Sequence, residues 1–300
     1  MIQHKDYLVP VASRSQQIQL YILITIWSIA TFVFWVWWFS SDFSDIKWKF
    51  AVNSVLLGWA TLLPAYYLYF LTRMKKPNPK LAVPGKLRVA MVVTKAPSEP
   101  FSVVKKTLRA MISQEYPHDT WLADEAPSRE VVIWCRANKV HISTRHGIAE
   151  YHNATWPRRT KCKEGNLAYF YDTYGYENYD IVVQMDADHC PEFGYLIEML
   201  RPFADKRVGY VSAPSICDAN INMSWVVRMR LYAEATLHGS LQAGYNDGWA
   251  PLCIGSHYAV RTRALKEIGG LGPELAEDHS TTFLMNAHGW RGVHAFDAEA

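Results

Sequence analysis

Two aspartates directly follow a short apolar run, in the segment Ile181-Val-Val-Gln-Met-Asp186-Ala-Asp188-His189. The apolar run predicts a buried β-strand over Ile181–Met185. Side chains two residues apart in an extended chain project to the same side, so Asp186 and Asp188 can face one cation. Mg²⁺ and Mn²⁺ prefer such oxygen ligands and usually take one or two carboxylates plus substrate phosphates. The D-x-D pattern also occurs in loops and helix caps, but its place at a strand end favours a metal site, with His189 in a structural role.

A second acidic pair, Glu277-Asp278, opens a helix-like run that extends to Ala287. Acidic residues at a helix start are expected from the macrodipole and from capping, which accounts for one of the two. The preceding glycine-rich loop, Gly269–Pro273, has the backbone freedom to bring the pair towards a ligand. We therefore keep both carboxylates as candidate functional residues.

Two further segments place polar residues next to predicted strands and helices. Asp124-Glu125 follows the short strand Trp121–Ala123 and puts two more acidic groups at a strand end. Lys163-Glu-Gly165 brings a cation and a glycine just before a predicted helix. Such a segment suits contact with a diphosphate or a base, and it suits a solvated turn equally well.

The segment Cys253-Ile-Gly255-Ser256 is a small-residue turn that leads into a predicted strand over His257–Arg261. Cys253 is interpreted as a buried packing residue, because no obvious base lies near it to activate the thiol as a nucleophile.

The elements that must position these residues alternate between short apolar runs and amphipathic stretches after residue 86. This βαβα alternation predicts an α/β domain with an open, mostly parallel sheet and helices on both faces. Ligands of such sheets bind outside the carboxyl ends of the strands, which is where the polar segments fall. The predicted strands are Leu87–Thr94, Trp121–Ala123, Val140–Thr144, Ile181–Met185, Val208–Ser212 and His257–Arg261. The predicted helices are Pro100–Gln114, Arg129–Asn138, Asn166–Tyr174 and Phe193–Arg201.

The first 72 residues have a different composition, with two long runs that lack charged residues, Leu20–Phe39 and Phe50–Leu71. At about 1.5 Å per residue, each run reaches about 30 Å, the thickness of the hydrocarbon core of a bilayer. Helices of soluble proteins keep a polar face, which these runs lack. A signal peptide is excluded because the first run is too long and a second span follows at once. The sequence predicts a two-helix transmembrane hairpin over residues 18–72.

Basic residues predict the orientation of this hairpin. Lys and Arg cluster after the second run, whereas the loop between the runs balances two lysines with two aspartates. By the positive-inside rule, residues 1–17 and the chain after the hairpin should be cytosolic. Residues 73–86 combine lysines with prolines and predict a stiff linker, which leaves 87–300 as a cytosolic domain of an integral plasma-membrane or inner-membrane protein.

Composition excludes several classes of protein. Among 300 residues, 50% are hydrophobic and 20% are charged, which excludes a disordered chain. A net charge of +3 without a basic stripe argues against a nucleic-acid partner. The 5 cysteines are widely spread and form no C-x-x-C pair, so neither a disulfide framework nor a structural zinc site is expected. The thiols indicate a reducing compartment.

Taken in order, these segments resemble the processive family-2 glycosyltransferases: cellulose synthase, and more distantly hyaluronan and chitin synthases. The resemblance extends from Leu87 to the end of the chain and includes the preceding membrane helices. Each short match is weak by itself, and their common order makes the set specific. The matching segments are Thr94-Lys-Ala-Pro-Ser-Glu99-Pro100, Tyr116-Pro117 with Trp121-Leu-Ala-Asp124-Glu125, Lys163-Glu-Gly165-Asn166 for K-A-G-N, Asp186-Ala-Asp188-His189 for D-x-D, Cys253-Ile-Gly255-Ser256 for F-C-G-T/S, and Glu277-Asp278 with Gly289-Trp290 for T-E-D…G-W.

The resemblance implies a GT-A fold, in which a mixed sheet flanked by helices binds a nucleotide sugar. It implies inverting transfer of a sugar, with glucose as our expectation, from a UDP-sugar to a growing β-glucan or related polysaccharide. Mg²⁺ or Mn²⁺ would be held by Asp186 and Asp188, and Asp278 would be the general base with Glu277 beside it. The substrate-binding residues it implies are Thr94, Glu99, Asp124, Glu125, Lys163, Gly165, Asp186, Cys253, Gly255 and Trp290.

The chain also departs from the family pattern. Glu125 replaces a second aspartate and Ala276 replaces the usual threonine, and neither change removes a proposed catalytic atom. The family continues with a Q-x-x-R-W motif and further membrane helices, which bear on processivity. We expect a fragment whose domain is incomplete at its C-terminal end, because the chain stops just after a predicted strand at 293–296. The expected partners are the polysaccharide acceptor, the lipid bilayer and accessory synthase subunits.

Three alternatives stay open at this point. One is a non-processive transferase that moves a single sugar to a lipid or short acceptor. Another is an inactive scaffold subunit of a polysaccharide synthase complex, which the presence of both acidic sites argues against. The third is a metal-dependent phosphohydrolase using Asp186 and Asp188, which would not explain Asp278 or Lys163.

Overall fold

The computed structural model describes residues 7–40, 47–216, 218–274 and 276–300. In chain order the strands are β1 (Leu8–Pro10), β2 (Lys75–Pro77), β3 (Val89–Lys95), β4 (Asp119–Asp124), β5 (His141–Ser143), β6 (Ile181–Met185), β7 (Val208–Ser212), β8 (His257–Arg261) and β9 (Arg291–His294). The α-helices are α1 (Arg14–Ser40), α2 (Lys47–Leu71), α3 (Phe101–Ile112), α4 (Arg129–Ala137), α5 (Lys163–Phe170), α6 (Tyr176–Asn178), α7 (Tyr195–Leu200), α8 (Trp225–Glu234), α9 (Gln242–Tyr245), α10 (Thr262–Glu267) and α11 (Glu277–Ala287).

The central sheet has seven strands in the order β5-β4-β3-β6-β8-β7-β9. Strands β5, β4, β3 and β6 are parallel, β8 is antiparallel to both of its neighbours, and β7 pairs in parallel with β9. The sheet is therefore mixed, with β8 as its reversed strand. This agrees with the predicted mostly parallel arrangement.

Helices cover both faces of the sheet. On one face, apolar side chains of α3, α4 and α7 form a cluster with β3 and β6. On the other face, α5, α10 and α11 contribute to a second cluster. Because β6 is buried along its whole length, it can be an unbroken run of mostly apolar residues rather than an alternating one.

Helices α1 and α2 are long and apolar enough to cross a membrane, as judged by length and composition. Almost none of their side chains is buried by the rest of the chain. The two helices contact each other near the end of α1 and the start of α2, where the Trp38 Nε1–H donates to Ser54 Oγ (2.8 Å) and the Trp38 ring stacks on Phe50. A wholly apolar and exposed surface of this kind is typical of a helix in lipid.

The predicted linker, residues 73–86, contains a short strand near its start. Its first residues form β2, which pairs antiparallel with β1 near the N-terminus. The segment after α2 is also held by Asp247, whose carboxylate accepts from Lys75 Nζ (2.6 Å). The partners of β2 are distant in sequence, so local composition could not reveal them.

Most boundaries of the predicted elements agree with the structure to within a few residues, while β1, β2, α6 and α10 are elements that the sequence analysis did not predict. Helix α5 begins at Lys163, three residues before the predicted start, and continues through a π-helical turn, Tyr171–Gly175. Helices α8 and α9 are joined by the π-helical segment Ala235–Leu241 and were not predicted. Strand β9 begins at Arg291, two residues before the predicted position.

Candidate active site

The candidate site lies at the edge of the sheet where β3, β4 and β6 end. Because these strands are parallel, the residues that follow them emerge on the same side of the sheet. Asp186 follows β6, and its backbone N–H donates to the Ser256 carbonyl oxygen (2.7 Å) just before β8. The reversed direction of β8 thus brings the segment around Gly255 next to Asp186.

Lys163 joins these two segments. Its Nζ, at the start of α5, donates to Asp186 Oδ1 (2.5 Å) and to the Gly255 carbonyl oxygen (2.5 Å). The lysine is mostly buried, whereas the aspartate side chain keeps 37% of its surface exposed. The structure therefore brings Lys163, Asp186 and Gly255 into one cluster with a fixed positive charge.

Asp278 reaches the same cluster from the first turn of α11. Its Oδ1 accepts from the His279 backbone N–H (2.9 Å). Its Oδ2 lies 3.0 Å from the point that a β-carbon at Gly255 would occupy. A glycine at this position therefore lets the carboxylate lie close to the backbone. Asp278 and Gly255 line a cavity of about 430 Å³.

Glu277 is buried, unlike its half-buried neighbour Asp278. Burial raises the pKa of the Glu277 carboxyl, the nearby Lys163 ammonium opposes this, and the Asp278 and Asp186 carboxylates add to it. Its Oε1 is buried without a hydrogen-bond partner among the described residues. Glu277 is thus placed to alter the electrostatics beside Asp278.

Asp188 is the more open member of the D-x-D pair, with 72% of its side chain exposed. Its Oδ1 lies 3.1 Å from His189 Nδ1, and His189 Nε2 lies 3.0 Å from Ser215 Oγ. In the described part of the chain, no group of three or more His, Cys, Asp or Glu side chains is arranged to hold a metal ion. Ala187 and Asp188 lie in a turn, not in extended chain, so the predicted common direction of the two aspartates does not follow from strand geometry. A divalent ion held by both would take its other ligands from water and a phosphate group.

Asp124 and Glu125 end β4 and are both engaged by basic side chains. Asp124 is fully buried, with Oδ1 accepting from the Ala126 N–H (2.9 Å) and Oδ2 3.3 Å from Lys95 Nζ. Arg145, also fully buried, donates from Nε to Glu125 Oε1 (3.0 Å). The predicted contact between Asp124 and a nucleotide base requires the Lys95 ammonium to move away.

Thr94 and Glu99 lie at the end of β3. Thr94 is half-buried and is the second-last residue of β3. Glu99 closes the turn that follows, because its Oε2 accepts from the Ala96 N–H (2.6 Å) while its own N–H donates to the Ala96 carbonyl (3.0 Å). Glu99 thus stabilises the loop that follows Thr94 at this edge of the sheet.

Gly165 is buried in the first turn of α5. A methyl group there would overlap the Arg159 carbonyl oxygen and the Arg145 guanidinium. Arg145 Nη1 donates to the Arg159 carbonyl (2.7 Å), so the glycine leaves room for this contact. Close packing therefore explains why residue 165 is a glycine, apart from the predicted substrate contact.

Residues 84–300 match the family described as "Glycosyltransferase like family 2". The chain belongs to this family. The matched range contains the whole central sheet, the cavity and every predicted site residue.

Two proteins show how this glycosyltransferase relates to known ones. The cellulose synthase 1 catalytic subunit (UDP-forming) of Komagataeibacter xylinus is 26% identical over 293 residues, which are 93% of this chain and 37% of that protein. The chain thus spans little more than a third of that relative. The mannosyltransferase PcManGT of Pyrobaculum calidifontis, solved with GDP-Man and Mn²⁺, has a TM-score of 0.58 at 18% identity, covering 83% of this chain and 66% of that one. The predicted GT-A-like fold is confirmed.

Two residues that the resemblance implies as substrate contacts differ in their surroundings. Cys253 is fully buried at the wall of the cavity, and burial raises the pKa of its thiol, which agrees with the predicted packing residue. Trp290 precedes β9 at the opposite end of the sheet, where it packs on Gly209 and lies under the Arg263 guanidinium. Four residue steps along β7 separate the two edges by about 13 Å. Trp290 therefore does not line the cavity, because β9 starts at the edge away from Asp186.

The structure adds two cavity residues that the sequence analysis missed. Glu234, the last residue of α8, and His238, in the π-helical segment that follows, line the cavity together with Asp278. Glu234 Oε2 and His238 Nδ1 are buried without a hydrogen-bond partner among the described residues. Burial lowers the pKa of His238, against the opposing effect of Glu234 and Asp278. The i, i+4 spacing of these two residues was the sequence signal that could have indicated the pair, but no sequence motif singled it out.

Proposed function

We propose that this chain is the catalytic part of a membrane-bound, inverting glycosyltransferase that adds sugar from a UDP-sugar to a growing β-glucan or related polysaccharide. The observation that carries the proposal is the meeting of Lys163, Asp186 and Asp278 around Gly255. Of these residues, Gly255 and Asp278 line the cavity. An ammonium group and two carboxylates therefore lie together at one edge of the sheet. Such a site suits a reaction that breaks the bond between a sugar and a diphosphate.

Asp278 is proposed to accept the proton of the attacking hydroxyl group. Its Oδ1 is held by a backbone N–H, and its Oδ2 faces the Gly255 backbone at the cavity wall. A carboxylate fixed by one oxygen can present the other to an acceptor hydroxyl at hydrogen-bond distance. Attack from the side opposite to the leaving diphosphate inverts the configuration at the transferred sugar carbon.

Lys163 and the D-x-D pair are proposed to stabilise the leaving diphosphate. Asp186 and Asp188 would hold Mg²⁺ or Mn²⁺, which supplies positive charge to the diphosphate oxygens. Lys163 lies directly beside Asp186 and provides a second positive charge from this chain. Glu277 adds negative charge near Asp278 and so favours the protonated form after transfer.

The unpartnered atoms of Glu234 and His238 support a carbohydrate acceptor in the cavity. Buried polar atoms without partners are costly, and hydroxyl groups of a sugar would satisfy them once the two side chains turn towards the cavity that they line. The same wall carries Leu241, Leu252 and Tyr245, which can pack on the apolar faces of a sugar ring.

The donor and the membrane location are proposed from the relatives and from α1 and α2. The K. xylinus cellulose synthase subunit is named UDP-forming, which supports UDP-glucose, and the structure of PcManGT with Mn²⁺ supports a divalent ion. Residues 18–72 are proposed to form the membrane hairpin, and 87–300 the catalytic domain. The basic residues after α2 support a cytosolic position for that domain in the proposed topology.

Membrane vesicles that contain the chain test the donor directly. They are incubated separately with labelled UDP-glucose, UDP-N-acetylglucosamine, UDP-galactose and GDP-mannose, with Mg²⁺, with Mn²⁺ or with a chelator. We expect metal-dependent incorporation from UDP-glucose into a product that β-glucan-specific glycosidases digest. Incorporation from GDP-mannose alone, or hydrolysis of the donor without transfer, would contradict the proposal.

The Asp278→Asn variant tests the proposed base. The amide keeps an oxygen for the His279 N–H, so the fold should persist, while proton transfer is lost. General-base catalysis contributes typically about 10²–10⁴-fold, so kcat should fall by that factor with UDP affinity unchanged. The matched control is Asp297→Asn, which alters an ion pair with Lys76 outside the cavity. Full activity of Asp278→Asn would show that another group accepts the proton.

A further inference from the structure

A compact loop, residues 153–160, lies just before α5 in the chain. Asn153 closes this loop, because its N–H donates to the Arg158 carbonyl oxygen (3.0 Å) and its own carbonyl accepts from the Thr160 N–H (2.9 Å). A surface loop whose ends are joined in this way is packed by its own residues and moves as one unit. We call it the Trp156 loop.

One side of the Trp156 loop is fixed to the start of α5. The buried carboxylate of Glu164 accepts from the backbone N–H groups of Arg158 (2.8 Å) and Arg159 (3.1 Å), and Arg159 Nε lies 3.3 Å from it. Arg158 has a φ of 67°, in the left-handed region that residues other than glycine rarely adopt. Such a backbone persists where its surroundings hold it. The loop is therefore attached to the residue directly after Lys163.

The other side of the Trp156 loop holds residues 269–274, the segment that follows α10. The Trp156 Nε1–H donates to the Leu271 carbonyl oxygen (2.9 Å), and Arg159 Nη2 donates to the Glu274 carbonyl oxygen (2.8 Å). Each of these bonds joins residues 115 positions apart in the sequence. Two side chains of one loop thus restrain the backbone of a distant segment.

Residues 269–274 in turn pack on the beginning of α11. The Gly272 N–H donates to Thr281 Oγ1 (2.9 Å), and a β-carbon at Gly272 would overlap the Ser280 hydroxyl. Thr281 is fully buried and follows Asp278 by three residues, on the same side of the helix. A shift of this segment would therefore shift the first turn of α11 and the Asp278 carboxylate with it.

We infer that Trp156 and Arg159 are positioning residues, which set the place of Asp278 relative to Lys163. The inference rests on the proposed function, in which Lys163 stabilises the leaving diphosphate and Asp278 accepts the proton. Trp156 lines a separate cavity of about 220 Å³, between its loop and Gly270, and not the cavity that Asp278 lines. Its effect on the reaction is exerted through the backbone contacts. A misplacement of about 1 Å can lower a rate by about 10²-fold, so a small displacement of the base is enough.

A double-mutant cycle tests this role in membrane vesicles that contain the chain. Trp156→Phe removes the Nε1–H donor and keeps an aromatic ring, and it is made both in the unmodified chain and in Asp278→Asn. The measurements are kcat and KM for UDP-glucose, UDP affinity, and Tm of the solubilised chain. Trp134→Phe is the matched control, because Trp134 lies on α4 and packs edge-on against Phe101.

We expect Trp156→Phe to lower kcat by about 10–100-fold in the unmodified chain, with KM and UDP affinity unchanged. In the Asp278→Asn background the same substitution should cause no further fall, because residues that act through one group are not additive. Trp134→Phe should leave all four measurements unchanged. A residue with a general structural role would lower kcat equally in both backgrounds.

The remaining outcomes separate the inference from the proposed function. Equal falls in both backgrounds, or an unchanged kcat for Trp156→Phe while Asp278→Asn is impaired, would overturn the inference alone. Full activity of Asp278→Asn would refute the proposed base and the inference together. If Trp156→Phe lowers Tm, Arg159→Lys takes its place in the cycle, because a single ammonium group cannot bond Glu164 and Glu274 as the guanidinium does. An additive effect of Arg159→Lys would then overturn the inference, and a non-additive one would support it.

Discussion

Replacing Lys163 with methionine separates two effects of this ammonium group. In the structure Nζ contacts Asp186 Oδ1 at 2.5 Å, on the carboxylate that is proposed to hold the metal ion. A cation that binds Asp186 must therefore compete with Lys163. The same ammonium is proposed to stabilise the diphosphate of the donor. Lys163→Met should accordingly tighten Mn²⁺ binding in the absence of nucleotide and weaken UDP binding in the presence of Mn²⁺.

The size of the effect follows from the exposure of the pair. A hydrogen bond to a charged group contributes about 1.5–3 kcal/mol. The Lys163 and Asp186 side chains are 18% and 37% exposed, so solvent screening reduces the value to about 1.4 kcal/mol. Each 1.4 kcal/mol is a factor of about ten in affinity. We expect Mn²⁺ alone to bind about tenfold more tightly to Lys163→Met than to the unmodified chain.

Electron paramagnetic resonance of free Mn²⁺ measures this affinity in detergent-solubilised protein, and fluorescence titration measures UDP. Lys161→Met is the matched control, because Lys161 is an exposed lysine of the same segment. Its Mn²⁺ and UDP affinities should not change. If Mn²⁺ binds Lys163→Met equally or more weakly, then Lys163 does not compete for Asp186 and the proposed metal position is wrong.

Two further predictions concern thermal stability, measured as Tm of the solubilised chain. Burial raises the pKa of Glu277, so its contribution to folding is full at low pH and is lost as pH rises through the raised pKa. Glu277→Gln should therefore raise Tm at pH 8 and leave it nearly unchanged at pH 4; a lower Tm at pH 8 would contradict this. Gly165→Ala should cost about 1–3 kcal/mol by overlap with Arg145, although alanine favours helices. Gly85→Ala, with no neighbour within 4 Å, should leave Tm unchanged, and equal Tm for both variants would rule out the overlap.

The sequence predicted the positions of strands well, because a run such as Ile181–Met185 has one stable environment, a sheet buried on both faces. It also placed Asp186, Lys163 and Gly255 at strand and helix ends. The packing of Trp290 could not be predicted in this way. The direction of β9 relative to β6 decides which edge Trp290 occupies, and that direction is a property of the whole sheet.

The helical unit from α8 to α9 shows a second limit of the sequence analysis. Most of its apolar residues point away from the domain, so the sequence pattern does not indicate a helix that packs on the core. Its role becomes visible when α2 docks on Gly244 and when Glu234 and His238 appear in the cavity wall. The contacts between this helical unit and α2 join residues more than 150 positions apart, so no local sequence pattern could reveal them.

The sequence by itself determined which chemical groups this protein has and at which strand or helix ends they stand. It also determined the two apolar helices, because a continuous run without charge is stable only away from water. Tertiary structure alone decided that Lys163 donates to both Asp186 and Gly255, that Lys95 lies beside the buried Asp124, and that Asp278 lines a cavity together with Gly255. The physical reason is the reversed strand β8, which brings separate segments to one edge of the sheet.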